Sequence, residues 1–227
     1  MNYADKVKSA DSTGTIVAER AVIREDFVPK GHYVVKCLEP LPEFRAQYLK
    51  LREHIDVLQS HQGIDNSELL AKLFIELAAI PKYEAWTQPI DNLVTTVGKN
   101  NLLDNHLSGS SYTAAWYIGL VSSTSYTTGA AAGDTSSSHG GWAEDQNYSQ
   151  STRVAPSFAS ASSGSKVTSA AAAFTMSGST TIKGCFLISN STKGGTAGTL
   201  FSSGLFTGGD QVVTSSSTLN VTYTLSA

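Results

Sequence analysis

The chain has 227 residues, a formal net charge of -3 and a hydrophobic share of 41%. This length suits one domain of ordinary size with a smaller appendage. The negative charge excludes the basic field that nucleic-acid binding needs, and no apolar run approaches the roughly 20 residues of a membrane span. Residues 1–14 also lack the apolar stretch of a secretory signal, so we expect a protein made in a cytoplasm, without a nucleic-acid or membrane partner.

Charge divides the sequence near residue 90. Residues 1–90 contain 24 of the 35 charged side chains, whereas residues 91–227 contain 16 of the 19 glycines and many Ser and Thr residues. Low charge combined with β-branched and aromatic runs is typical of a sheet-rich domain. We therefore expect an extended arm with short strands over residues 1–40, a helical hairpin and linker over 41–90, and a β-sandwich over 91–227.

The predicted arm starts with a polar segment and continues with short apolar runs. Residues 32–38 predict a strand with Tyr33, Val35 and Cys37 on one face. An arm without its own core either docks on a neighbouring subunit or stays a flexible tail, and the sequence leaves both open. Its candidate interface residues are Ile16, Val17, Val22 and Ile23.

Two amphipathic helices are predicted after the arm. The first begins at Pro42, and its apolar residues recur at spacings of four and three, as one helix face requires. The second follows Asn66, ends before Pro81 and has a leucine-rich face. The stripe on the first helix fits ordinary hairpin packing, or else a surface for self-association or docking. Its residues, which are interface candidates on the second interpretation, are Phe44, Tyr48, Leu51, Ile55 and Leu58.

Residues 81–89 are interpreted as an aromatic linker, and a weak helix is predicted from Asn92. About seven strands follow, at 112–121, 153–158, 166–176, 180–189, 199–207, 211–214 and 219–225. The last shows the period-2 alternation of a strand with one buried face, and glycine pairs allow the chain to reverse before it. The predicted fold class is mainly β, with a C-terminal antiparallel β-sandwich or jelly-roll-like domain.

No catalytic or ligand motif stands out. The nucleophile elbow, the zinc-protease helix motif and the phosphate-binding loop are all missing from the sequence. His139 lies near Asp134, Glu144 and Asp145, but this spacing matches a polar loop better than a cation site. Cys37 and Cys185 are isolated and are expected to be buried thiols. We expect a non-enzymatic protein without catalytic residues, metal or cofactor.

Two aromatic residues and an arginine in the second half of the chain suggest an alternative function, the binding of a sugar. Trp142, Tyr148 and Arg153 are the residues expected to hold a host glycan, if the protein binds one, because an exposed ring stacks on the apolar face of a sugar. The other interpretation of Trp142 is a core aromatic that closes one end of the sandwich.

Residues 92–227 resemble small structural proteins of tailed bacteriophages and prophages. The resemblance lies in four blocks, NLVTTVGKNNLLDNHLSGSSYTAAWYIGLVSSTSY, GGWAEDQNYSQSTR, IKGCFLISNSTKGGTAGTLFSSGLFTGGDQVV and TLNVTYTLSA. It implies a virion component, plausibly a capsid decoration or cement protein, with the major capsid protein, other virion proteins and copies of itself as partners. The first 90 residues fall outside it.

The sequence thus supports three hypotheses of decreasing strength. The first is a capsid decoration protein that stabilises the head by bridging neighbouring subunits. The second is a tail, neck or head-fibre module that binds host glycan. The third, an enzyme that degrades wall or capsule, lacks any catalytic motif.

Overall fold

Eleven strands and three α-helices form the described part of the computed structural model, which covers residues 29–60, 66–107 and 115–226. The strands are β1 (Lys30–Pro40), β2 (Lys82–Val94), β3 (Tyr117–Ser122), β4 (Glu144–Asp145), β5 (Ser157–Phe158), β6 (Ser165–Ala170), β7 (Ala172–Thr175), β8 (Thr180–Ile188), β9 (Leu200–Leu205), β10 (Gln211–Val213) and β11 (Thr218–Ser226). The helices are α1 (Arg45–Ser60), which follows a 3₁₀ turn at Pro42–Phe44, α2 (Ser67–Ala79) and α3 (Thr96–Leu107).

The strands form one antiparallel sheet. Its order is β4-β3-β8-β9-β2-β1-β11-β6-β5, with β10 paired to β8 and β7 paired to β11. The register of β1 on β11 places buried side chains opposite buried side chains, as a sheet with one face on a core requires. These pairs are Tyr33 with Tyr223, Val35 with Val221, and Cys37 with Leu219. The predicted mainly β fold class is confirmed.

The sheet curls so that its two ends share one main core. Phe174 of β7, Ile118 of β3 and Ile182 of β8 are fully buried in the same apolar cluster as the side chains of β1 and β11. Tyr33 spans this core, with its hydroxyl 2.8 Å from Ser202 Oγ on β9. A polar bridge between strands is thus buried among apolar neighbours, where an unpaired hydroxyl would be costly.

A second apolar cluster covers the opposite face of β8. Phe186 and Ile188 pack there with Val121, Trp142 and Leu200, whereas Cys185 and Leu187 point into the main core. Burial on both faces explains why residues 185–188 are apolar without alternation.

The predicted boundary near residue 90 is wrong for the described residues. β1 lies inside the sheet between β2 and β11, so residues 30–40 do not form a separate arm. The predicted linker, residues 81–89, belongs to β2 from Lys82 onwards, and in this strand Ile90 is buried and Trp86 is half-buried on the face towards the core. Three exposed positions of this strand carry charged side chains, and a division drawn from charge alone missed the alternation.

The helical hairpin is confirmed, as an insertion between β1 and β2. The Leu41 amide donates to the Pro81 carbonyl over 3.0 Å and closes its base. On α1, Tyr48 and Ile55 are buried and the rest of the predicted stripe is half-buried, which matches the interpretation as hairpin packing.

The third helix begins later than predicted. Leu93 belongs to β2, and α3 starts after Thr95, whose Oγ1 accepts the Gly98 amide over 3.0 Å as an N-cap.

The other strand predictions largely match. Residues 180–189, 199–207, 211–214 and 219–225 correspond to β8, β9, β10 and β11, and residues 166–176 divide into β6 and β7. In residues 153–158 only β5 is a strand, next to a single bridge between Val154 and Ile118. The predicted strand at 112–121 begins at Tyr117, its first residues lying outside the described ranges. The candidates Ile16, Val17, Val22 and Ile23 also lie outside them.

Gly184 offers a test of the packing of β8 on β9. A Cβ at this position would overlap the backbone carbonyl oxygen of Gly204, which cannot turn aside as a side chain can. Gly184→Ala should therefore lower the free energy of unfolding by about 1–3 kcal/mol, the usual cost of overpacking, measured by urea denaturation.

Gly133→Ala is the matched control, since its Cβ would meet no atom within 4 Å. It should change stability by less than about 0.5 kcal/mol. Equal effects of the two substitutions would contradict the close approach of β8 and β9.

The two cysteines give a second test. Both are free and buried, and burial raises the pKa of the Cys37 thiol to about 12 and also raises that of Cys185. Neither thiol should react with a thiol reagent at pH 8 in the native protein, and both should react in denaturant.

The same shifts make the fold sensitive to alkali. Unfolded thiols ionise near pH 9.0, whereas the folded ones keep their protons, so the free energy of unfolding should fall as pH rises above 9. Urea denaturation at pH 7, 9 and 10 measures this, and a flat profile would contradict the burial of the thiols.

Candidate functional site

A cavity of about 240 Å³ lies beside the second apolar cluster, on the face of β8 that points away from the main core. Phe186, Ile188 and Leu200 form its apolar floor. Its polar lining comes from the segments before and after β4 and from the β8–β9 connection, namely Ser136, His139, Glu144, Gln146, Arg153 and Thr196.

The segment before β4 fixes Trp142 over β8. The indole Nε1 donates to the Asp134 carboxylate over 3.3 Å, and the His139 ring stacks on the indole with centroids 4.0 Å apart. Gly141 has φ +90°, a conformation that glycine adopts without strain, and so brings the chain round to Trp142. The indole is only 6% exposed and also contacts the Phe186 ring.

A buried ion pair forms one wall of the cavity. Arg153 Nη2 lies 2.8 Å from Glu144 Oε2, and Arg153 Nε lies 3.0 Å from Glu144 Oε1. The two side chains are only 3% and 7% exposed. This fork geometry gives the pair two parallel charge-assisted hydrogen bonds.

Each member of the pair has further partners. Glu144 accepts the Gly194 amide over 2.7 Å and the Tyr148 hydroxyl over 3.3 Å. Arg153 donates to the backbone carbonyl oxygens of Asn190 and Gly195 over 3.0 and 2.8 Å. Both carboxylate oxygens are therefore occupied, and the pair ties β4 to the β8–β9 connection.

The neighbouring carboxylate serves another part of the structure. Asp145 accepts the Thr180 hydroxyl over 2.6 Å and the Asn147 amide over 2.9 Å, away from Glu144. Adjacent strand residues point to opposite faces, so these two carboxylates do not act on one substrate. Within residues 29–60, 66–107 and 115–226, no group of three His, Cys, Asp or Glu residues is placed to hold a metal ion.

Tyr148 and Lys193 brace the outer side of the ion pair. Burial, with the nearby Glu144 charge, raises the pKa of Tyr148 well above its usual range, so the phenol remains a neutral donor. Lys193 Nζ donates to the Tyr148 and Gln150 carbonyls over 2.8 and 2.9 Å, and burial lowers its pKa.

The structure brings the predicted glycan residues together, but it buries them. Trp142 and Arg153 line the cavity, whereas Tyr148, 2% exposed, packs edge-on against Phe174. The burial of Trp142 matches its interpretation as a core aromatic. Glycan binding remains a prediction, and a glycan would have to enter the cavity because these rings offer no open face.

Glu144 and Gly194 are the site residues that the sequence analysis did not connect with Arg153. One signal was available, because Arg153 is the only arginine in residues 91–227 and a lone arginine in a charge-poor domain needs a carboxylate partner.

No protein-family model matches the chain, and a search of curated proteins finds no significant match.

None of the helices in the described ranges is long and apolar enough to cross a membrane.

The importance of the ion pair can be measured by Arg153→Met. This substitution leaves the Glu144 carboxylate buried without its cation and should lower the free energy of unfolding by about 3–5 kcal/mol in urea denaturation. Lys36→Met is the control, because Lys36 and Glu84 form a similar short contact of 2.8 Å with both side chains exposed. If both variants lost equally little stability, the structural role of Arg153 would be refuted.

Proposed function

We propose that the chain is a non-enzymatic structural protein of a tailed-bacteriophage virion, which decorates the capsid and stabilises the head by bridging neighbouring subunits. The observation that carries this proposal is the inserted hairpin, which leaves apolar side chains uncovered on both of its helices. Leu49 on α1 is 41% exposed, and Phe74 and Ile75 on α2 are 46% and 70% exposed. Two separate attachment faces are what a bridging protein needs.

The face on α1 supports attachment to a neighbouring virion subunit. A groove of about 460 Å³ runs between α1 and the turns at Ser177 and Ser215, and its α1 wall includes Leu49, Arg52, Glu53 and Asp56. Arg52 is 9% exposed and forms no ion pair with any described residue, and its Nη1 is buried without an acceptor. Leaving a buried guanidinium unpaired is costly, so we assign this groove to a capsid subunit that supplies a hydrogen-bond acceptor for Arg52.

The sheet supports the proposal because its strand order ends in a very short strand on each side. β4 and β5, at the two ends of the strand order, contain two residues each. Short edge strands discourage the addition of a foreign strand, which leaves the helices as the attachment elements. Modest contacts of this kind gain strength when many copies bind one lattice.

The environment of the carboxylates at the cavity supports a non-enzymatic role. A general acid or base must reach its substrate with a free proton site. Glu144 and Asp145 are instead hydrogen-bonded to backbone amides and side chains of their own chain.

The resemblance over residues 92–227 is the ground for placing the protein in a phage virion.

Counting and locating the chain in purified particles tests the proposal. Quantitative mass spectrometry and imaging should find a copy number that matches the capsid lattice. Particles that lack the protein should release DNA at a lower temperature, and adding the purified chain should restore them. A low count at one vertex or on the tail would overturn the decoration role and favour the glycan-binding alternative.

A matched pair of variants tests the groove. Leu49→Asp should bind the depleted particles at least 10-fold more weakly than the natural chain, because it places a charge on the α1 face. Leu103→Asp, at a 47% exposed leucine of α3, should bind normally. Equal binding by both variants would show that the groove is not the attachment face.

A further inference from the structure

Helix α2 carries two apolar stripes, and the described part of the chain covers only one. The inner stripe consists of Leu70, Leu73 and Leu77, of which Leu73 is buried and the other two are half-buried. The outer stripe is exposed along its whole length and consists of Ala71, Phe74, Ile75 and Ala78. At 100° per residue, the spacing of three, one and three places these four side chains on one face.

This outer stripe has the composition of a helix–helix contact. The solvent face of a surface helix normally carries polar side chains, yet here the charged residues Glu68, Lys72 and Glu76 all lie on one flank. Phe74 and Ile75 leave the largest uncovered apolar area, and the two alanines beside them permit close approach of a second helix.

The order of side-chain sizes along the outer stripe indicates which molecule covers it. Along α2 the stripe reads small, large, large, small, which is the same in both directions. A two-fold axis midway between Phe74 and Ile75 would place Phe74 of one copy opposite Ile75 of the other, and Ala71 opposite Ala78. Such self-complementarity is the requirement of an isologous contact between identical chains.

The charges select the antiparallel direction. A two-fold axis keeps the charged flank on the same side in both copies and brings Lys72 of one copy next to Glu76 of the other. Lys72 already lies 2.8 Å from Glu68 of its own helix. A parallel two-fold pair would instead place the two charged flanks on opposite sides of the contact, so that Lys72 of one copy would have no Glu76 of the other beside it.

We propose that α2 packs antiparallel on α2 of a second copy of this chain and forms a two-fold homodimer. The helix has 13 residues, about 20 Å at 1.5 Å per residue, so the contact is smaller than a standard interface. The dimer is therefore weak in dilute solution and becomes populated when copies are concentrated. The inference does not depend on the proposed place in a virion.

Sedimentation equilibrium of the full chain over a wide concentration range tests the dimer. The natural chain should pass from monomer to dimer, and Ile75→Asp should weaken the dimer at least 10-fold. Val212→Asp is the matched control, because Val212 is 69% exposed on β10 and lies outside the stripe. A chain that stays monomeric at millimolar concentration, or a dimer that Ile75→Asp leaves intact, would overturn the proposal.

Charge reversal and cross-linking test the direction. Lys72→Glu alone should weaken the dimer, and combining it with Glu76→Lys should restore it. Ala71→Cys mixed with Ala78→Cys should give a disulfide-linked dimer on oxidation, whereas Ala71→Cys alone should not. Efficient cross-linking of Ala71→Cys to itself would show a parallel pair and refute the antiparallel one.

Discussion

The pairing of β1 with β11 is the constraint on which the rest of the structure depends. Tyr33 and Tyr223 face each other across it, 190 positions apart in the chain, with ring centroids 4.5 Å apart. β1 joins this pair to β2 and hence to β9 and β8, while β11 joins it to β6 and β7. The base of the hairpin is held between β1 and β2, so the hairpin is attached to the sheet through the same strand β1.

The outer layer on β8 depends on a different kind of force. Apolar burial holds Trp142 against Phe186, but the connections that form the cavity are Ser- and Gly-rich and offer few apolar contacts. Arg153 and Glu144 replace those contacts with a buried, fully hydrogen-bonded ion pair. Charge is scarce in this part of the chain, and here it is used to fix loop positions.

Local sequence patterns, namely apolar runs bounded by glycines and the alternation of β11, were enough to predict the strands of residues 180–226. Leu219, Val221 and Tyr223 have the period that one buried face requires, and glycines mark the reversals between strands. The role of β2 was missed because Lys82 and Glu84, at exposed positions of the strand, continue the charged composition of the hairpin region. The partners of Arg153 were beyond sequence reasoning, because Glu144 and Gly194 meet it only once β3, β8 and β9 have paired.

The position of β11 also governs when the fold can form. During synthesis, β1 and β2 leave the ribosome long before residues 218–226, and until then β1 has one unpaired edge rich in valine and tyrosine. Such an edge readily pairs with the wrong strand. Completion of the sheet therefore has to wait until residues 218–226 have been synthesised, and until then β1 lacks one of its two neighbours.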